Sequence, residues 1–101
     1  MKKLNVAVLG CTGAVGVEMI KILESRDFPV NELIPLASER SAGKTVLFKR
    51  EEISVRKTDE NSFRNADIVL GALPKERSLF FSEAIKSSGA VYIDNSSAFR
   101  L

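Results

Sequence analysis

A doubly wound α/β domain with a mostly parallel sheet is what this 101-residue sequence predicts. Three observations carry that expectation. Strand-like apolar runs alternate with a helical repeat along the chain. A glycine-rich stretch joins the first such run to the first helical repeat. The order strand, helix, strand then recurs, and two parallel strands joined by a helix call for a right-handed crossover.

The elements follow in order. Leu4–Leu9 is a short run of Val and Leu closed by Gly10, the pattern of a strand buried on both faces. From residue 13 to 25 the period changes. Val15, Met19, Ile22 and Leu23 fall at i, i+4, i+7 and i+8, one face of a helix. Phe28-Pro29 ends it, because proline cannot continue a helix and restrains the residue before it. Residues 33–37 read as a second strand. Residues 45–48 and 53–56 alternate as two weak strands joined by a polar turn. Residues 67–73 form another buried-type run centred on Ile68-Val69-Leu70. Phe81, Ala84, Ile85 and Ser88 mark a second helical face with Gly89 as its C-terminal cap, and residues 90–93 are the last strand.

Composition limits the function classes. Hydrophobic residues make up 45% and charged residues 28%, enough apolar side chain to offset the entropy of ordering one compact domain. The apolar runs are too short to cross a bilayer. The opening Met1-Lys2-Lys3-Leu4 leads into glycines with no small-residue cleavage site, so it reads as a strand and not a secretory signal. Net charge is +2, too balanced for a non-specific nucleic-acid binder. One cysteine, Cys11, excludes an internal disulfide, and the lack of histidine argues against a zinc site and excludes a histidine base within these residues. A reduced, cytoplasmic setting is expected, with no metal.

The chemistry-bearing segment is Gly10-Cys11-Thr12-Gly13-Ala14-Val15-Gly16. Gly10 permits the tight turn out of the strand, Gly13 lets a pyrophosphate approach the backbone, and Gly16 lets the helix pack close to the sheet. The helix N-terminus offers N–H groups and partial positive charge to phosphates. Thr12 can cap that helix or donate to a phosphate. Cys11 reads as a small residue filling the turn, although a helix N-terminus can activate a thiol. Three glycines alone are a weak signal; the strand before and the helix after raise it to a Rossmann-type dinucleotide fingerprint. A glycine turn with no ligand is the alternative.

At the tip of the second strand lies Ser38-Glu39-Arg40-Ser41-Ala42-Gly43-Lys44. Arg40 can fork onto a ribose 2′-phosphate, and Ser38 and Ser41 can donate to it. Glu39 argues the other way, since a carboxylate there accepts from a free 2′-hydroxyl. Three donors outweigh one carboxylate that can turn to solvent, so NADP is the expected cofactor.

The sequence resembles the N-terminal part of the aspartate-semialdehyde dehydrogenase family over its whole length. The likeness rests on the glycine loop, on Phe28-Pro29-Val30, on Ala37-Ser38-Glu39-Arg40-Ser41-Ala42-Gly43-Lys44, and on Asp94-Asn95-Ser96-Ser97-Ala98-Phe99-Arg100. It implies that residues 1–101 are the NADP-binding portion of an oxidoreductase. The reaction implied is NADPH-dependent reductive dephosphorylation of aspartyl phosphate to aspartate semialdehyde and phosphate, through a cysteine thioester. That step feeds lysine, diaminopimelate, methionine and threonine synthesis. By the same resemblance Thr12, Gly13, Ala14 and Val15 would meet the pyrophosphate, Arg40 and Ser41 the 2′-phosphate, and Arg100 the substrate's acyl phosphate.

There are departures. The family commonly has Ala where this chain has Cys11, and Gly71-Ala72-Leu73-Pro74 follows the Ala-Leu-Pro form of one branch, which leaves the nicotinamide-side contacts of Ala72 to Pro74 open. The family's attacking cysteine, its later histidine and its dimer-forming middle domain have no counterpart in these residues. No catalytic residue is therefore assigned here, the 101 residues alone are expected to be inactive, and a homodimer or homotetramer is expected of the full-length protein. Two rivals remain. N-acetyl-γ-glutamyl-phosphate reductase shares the fold, but usually has a tyrosine in the glycine loop and Leu-Ser-Ala-Asp-Phe-Arg near the end. A stand-alone nucleotide-binding module is the other.

Overall fold

Five parallel strands form the centre of the molecule in the computed structural model, which describes residues 3–72 and 81–94. The elements run β1 (Leu4–Leu9), α1 (Ala14–Ser25), β2 (Val30–Ala37), a 3₁₀ turn (Glu39–Ser41), β3 (Thr45–Phe48), β4 (Glu51–Ser54), β5 (Arg56–Lys57), β6 (Ile68–Gly71), α2 (Ser82–Ser88) and β7 (Val91–Asp94). The strand order is β5-β2-β1-β6-β7, with β3 and β4 as a separate antiparallel hairpin. The chain winds outward from β1 to β2 and β5, then returns to β6 on the other side of β1. That reversal leaves a crevice at the C-terminal ends of β1 and β6, where ligands of such sheets bind.

Sequence explains the middle of the sheet. Val6, Ala7, Val8 and Leu9 are all fully buried because both faces of β1 are covered. Val6 and Val8 pack with Ile20, Leu23, Leu33, Phe48 and Val55 on the α1 side. Ala7 and Leu9 pack with Ile34, Leu36, Phe63, Val69 and Ile85 on the α2 side. The alternation is that of a pleated strand.

Several expectations shift in detail. The buried stripe of α1 is Gly16, Met19, Ile20 and Leu23, with Val15 and Ile22 only half-buried. The stripe is rotated because the helix seats Gly16 directly on the glycine loop. β2 begins at Val30, three residues before the apolar run, because the parallel ladder to β1 starts at Leu4–Val30 and, after an irregularity at Asn31, resumes at Asn5–Glu32. The run at 53–56 is not one strand. β4 ends at Ser54, buried Val55 follows, and β5 begins at Arg56 to pair with β2. Among the described residues the sheet's last strand is Val91–Asp94, one residue later than expected, and α2 is capped by Gly89 at φ 80°.

The β3–β4 turn is Lys49-Arg50, with φ of 50° and 69°. Two positive φ values match the twist of a two-residue hairpin turn, here without the usual glycine. α1 and the turn after it support it: the Lys49 N–H donates to Glu24 Oε1 at 3.1 Å, and Lys49 Nζ lies 3.6 Å from Asp27 Oδ1. The segment before β6 holds fully buried Phe63, whose ring meets Phe81 edge-on at 6.1 Å. An Asx turn shapes this segment, with the Asn61 N–H donating to Asp59 Oδ1 at 2.8 Å. No helix among the described residues is long and apolar enough to cross a membrane.

Candidate functional site

The glycine loop leaves β1 through Gly10, whose φ of 84° is a left-handed conformation that suits glycine. The N–H groups of Gly10 and Cys11 both donate to the Leu36 carbonyl, at 2.9 and 3.0 Å. The loop is thereby tied to the tip of β2. Gly16 packs against the loop's own backbone. A Cβ there would collide with the Gly10 carbonyl oxygen and stand 2.7 Å from the Cys11 Cα.

Gly13 is different. It is the N-cap of α1 at φ −76° and ψ 167°, a conformation open to any residue. A Cβ at Gly13 would be 3.6 Å from the Gly10 carbonyl oxygen, an ordinary contact, and Gly13 is exposed. The fold itself thus makes no demand for glycine at this position. A bare backbone here leaves room for something outside the chain, which fits the phosphates of a dinucleotide. No side chain caps the first turn of α1, and no acidic residue lies in it. Its N–H groups and partial positive charge therefore face the crevice with no competing carboxylate in that turn. Thr12 does not cap the helix, contrary to one of its expected roles; N-cap geometry falls one residue later, on Gly13.

Thr12 instead reaches across the site. Its Oγ1 donates to Ser41 Oγ at 3.3 Å, joining the glycine loop to the segment after β2. That segment turns at Glu39–Ser41, held by the N–H groups of Ser41 and Ala42 donating to the Ser38 carbonyl at 3.0 and 3.1 Å. Ser38 and Arg40 are exposed and Ser41 is half-buried. Further along, the Gly43 N–H donates to the Val55 carbonyl at 3.1 Å, and the Val55 N–H to the Lys44 carbonyl at 2.7 Å. Thr58 closes the other side. Its N–H and Oγ1 both donate to the Ala37 carbonyl, at 2.9 and 3.0 Å.

Gly10, Thr12, Gly13, Ala14, Val15, Gly16, Ser38, Arg40 and Ser41 thus lie around one end of the sheet, at the tips of β1 and β2. Ala72 is at the same end, its N–H donating to the Leu9 carbonyl at 2.8 Å. Leu73, Pro74 and the motif from Asn95 to Arg100 lie outside the described residues, Arg100 among them. Two contributors escaped the sequence reading. Lys57 and Thr58 border the tip of β2, and a two-residue strand has too little periodicity to be read from sequence.

Cys11 is fully buried beneath the loop. Burial pushes its thiol up to about 11, against a smaller opposing effect of a backbone hydrogen bond. The helix N-terminus therefore does not activate it, and it fills space.

The profile of the family described as semialdehyde dehydrogenase, NAD binding domain, matches residues 5–101. The aspartate-semialdehyde dehydrogenase of Synechocystis sp. is 47% identical over 98 residues, which cover 97% of this chain and 29% of that protein. The enzyme of the same name from Bacillus subtilis is 43% identical over 98 residues, covering 97% and 28%. Among solved structures, aspartate semialdehyde dehydrogenase II from Vibrio cholerae, complexed with ASA, superposes with a TM-score of 0.88 at 40% identity, covering 92% of this chain and 30% of that one. The chain spans just under a third of the length of the curated relatives it matches. A Rossmann-type sheet, a glycine loop shaped as described and a match over nearly every residue agree: the chain belongs to the semialdehyde dehydrogenase family, as its NAD-binding domain.

Proposed function

We propose that this chain is the NADP-binding part of an aspartate-semialdehyde dehydrogenase, serving NADPH-dependent reduction of aspartyl phosphate to aspartate semialdehyde with release of phosphate. The observation that carries the reading is Gly13, a glycine the fold does not require at the mouth of a helix with no acidic first turn. Thr12, Gly13, Ala14 and Val15 meet the pyrophosphate, with the first-turn N–H groups and the α1 dipole facing it, while Gly10 and Gly16 serve the cofactor site by shaping the loop. Ser38, Arg40 and Ser41 take the 2′-phosphate, Arg40 by a charge-assisted fork. When bound, the cofactor supplies the hydride.

The step's other groups are a nucleophilic thiolate and an acid–base partner. Cys11 does not supply the thiolate, being buried with a raised pKa, and these 101 residues contain no histidine. The assignment of Arg100 to the substrate phosphate rests on the family motif. The full-length protein would act as a homodimer or homotetramer in the cytoplasm, in amino-acid biosynthesis.

Calorimetric titration with NADP and NAD tests the cofactor reading. The protein should prefer NADP. Gly13→Ala should leave stability within about 1 kcal/mol and weaken NADP binding by roughly ten-fold or more, since the new methyl occupies the phosphate's approach. Equal binding of both dinucleotides would remove the NADP assignment. Unchanged binding in Gly13→Ala would remove the phosphate cradle.

A further inference from the structure

Ser38, Arg40 and Ser41 suit a phosphate, yet Glu39 stands in the middle of them. An unopposed carboxylate beside the adenosine ribose selects the free 2′-hydroxyl and repels a 2′-phosphate. The structure places a cation against it. Lys57 Nζ lies 4.0 Å from Glu39 Oε2. The two side chains come from different elements. Glu39 opens the 3₁₀ turn, whereas Lys57 belongs to β5, paired with Ala37 at the very tip of β2. The neighbouring Thr58 anchors β5 there by its two hydrogen bonds to the Ala37 carbonyl. The backbone that carries Lys57 is thus set by the sheet, and it stands on the side of the turn opposite the Thr12–Ser41 bridge.

We propose that Lys57 is a specificity-determining residue for the phosphorylated ribose, acting by neutralising Glu39. This rests on the assignment of residues 38–41 to the 2′-phosphate. With the Glu39 charge offset, Arg40 and the two serines present a net positive surface to the phosphate. Without Lys57, the same turn reads as one that accepts the unphosphorylated ribose. Both side chains are well exposed, 59% for Lys57 and 85% for Glu39, so the effect is modest and salt-sensitive.

Binding of 2′,5′-ADP and of 5′-AMP, measured by calorimetry at low ionic strength, tests the proposal without turnover. Lys57→Ala should weaken 2′,5′-ADP about five-fold and leave 5′-AMP unchanged. Lys57→Arg should keep the wild-type preference. In the Glu39→Gln background, Lys57→Ala should cost 2′,5′-ADP less than about two-fold, because the carboxylate to be neutralised is gone. An equal loss in both backgrounds would mean that Lys57 meets the phosphate directly, which overturns the proposal. Equal weakening of both ligands would mark a purely structural role and overturn it too. If the wild type prefers 2′,5′-ADP and Lys57→Ala behaves like it, this proposal alone fails. If the wild type binds the two ligands alike, the NADP reading fails and the proposal falls with it.

Discussion

Thr12 Oγ1 and Ser41 Oγ meet at 3.3 Å, although 29 residues separate them in the chain. One belongs to the turn expected at the pyrophosphate and the other to the turn expected at the 2′-phosphate. Their hydrogen bond ties together the two halves of the proposed dinucleotide site. Both hydroxyls are also donors a phosphate could use, so binding would exchange one partner for another. Thr12→Val and Ser41→Ala should each cost folding stability less than about 1 kcal/mol, as expected of a hydrogen bond at an exposed site. Each should weaken NADP binding several-fold. Thermal unfolding and calorimetry on the single and double variants would check this, and a coupling energy near zero would show that the two turns act separately.

Gly16→Ala should behave unlike Gly13→Ala. At Gly16 the added methyl runs into the Gly10 carbonyl and the Cys11 backbone, which cannot move without breaking the two hydrogen bonds to Leu36. A loss of about 1–3 kcal/mol is expected from such overpacking. Chemical denaturation of the two variants side by side would show the contrast.

Cys11 should resist alkylation at neutral pH in the folded protein and react on unfolding, as a labelling time course with iodoacetamide would show. Its folded pKa, about 11, lies above the ordinary 9.0. The folded state therefore holds this proton more tightly, and the stability it contributes is full below pH 9 and is lost as pH rises through 11. Cys11→Ala should remove that part of the alkaline decline. Equal slopes of stability against pH in the two proteins over this window would contradict the assignment.

Phe63→Ala should destabilise by about 3–5 kcal/mol, the range for deleting a fully buried aromatic side chain. Phe63 packs beneath the sheet with Leu9, Leu36 and Val69, and its ring abuts Phe81. Loss of that plug should loosen the α2 side of the domain, and hydrogen exchange in β6 and α2 should rise before exchange in α1 does.

Much of this molecule is legible locally. Buried parallel strands need continuous Val and Leu runs, so β1 announces itself at its observed limits. A turn that needs a positive φ asks for Gly10, and a helix that touches its own entry loop asks for Gly16. The order of these signals suffices for the doubly wound architecture, and the motif residues suffice for the family. Other features depend on contacts distant in sequence. β5 exists as a strand only because β2 offers it an edge, and Lys57 gains its place from that pairing. Phe63 sits in an irregular segment with no periodicity, and only the closed sheet makes it core. The helix stripe turned toward Gly16 and Ile20 because the loop beneath α1 decides which side can come closest. Nothing near Thr12 in the sequence points to Ser41; the two meet because parallel strands paired in register, Leu9 with Leu36, deliver their following turns to the same end of the sheet.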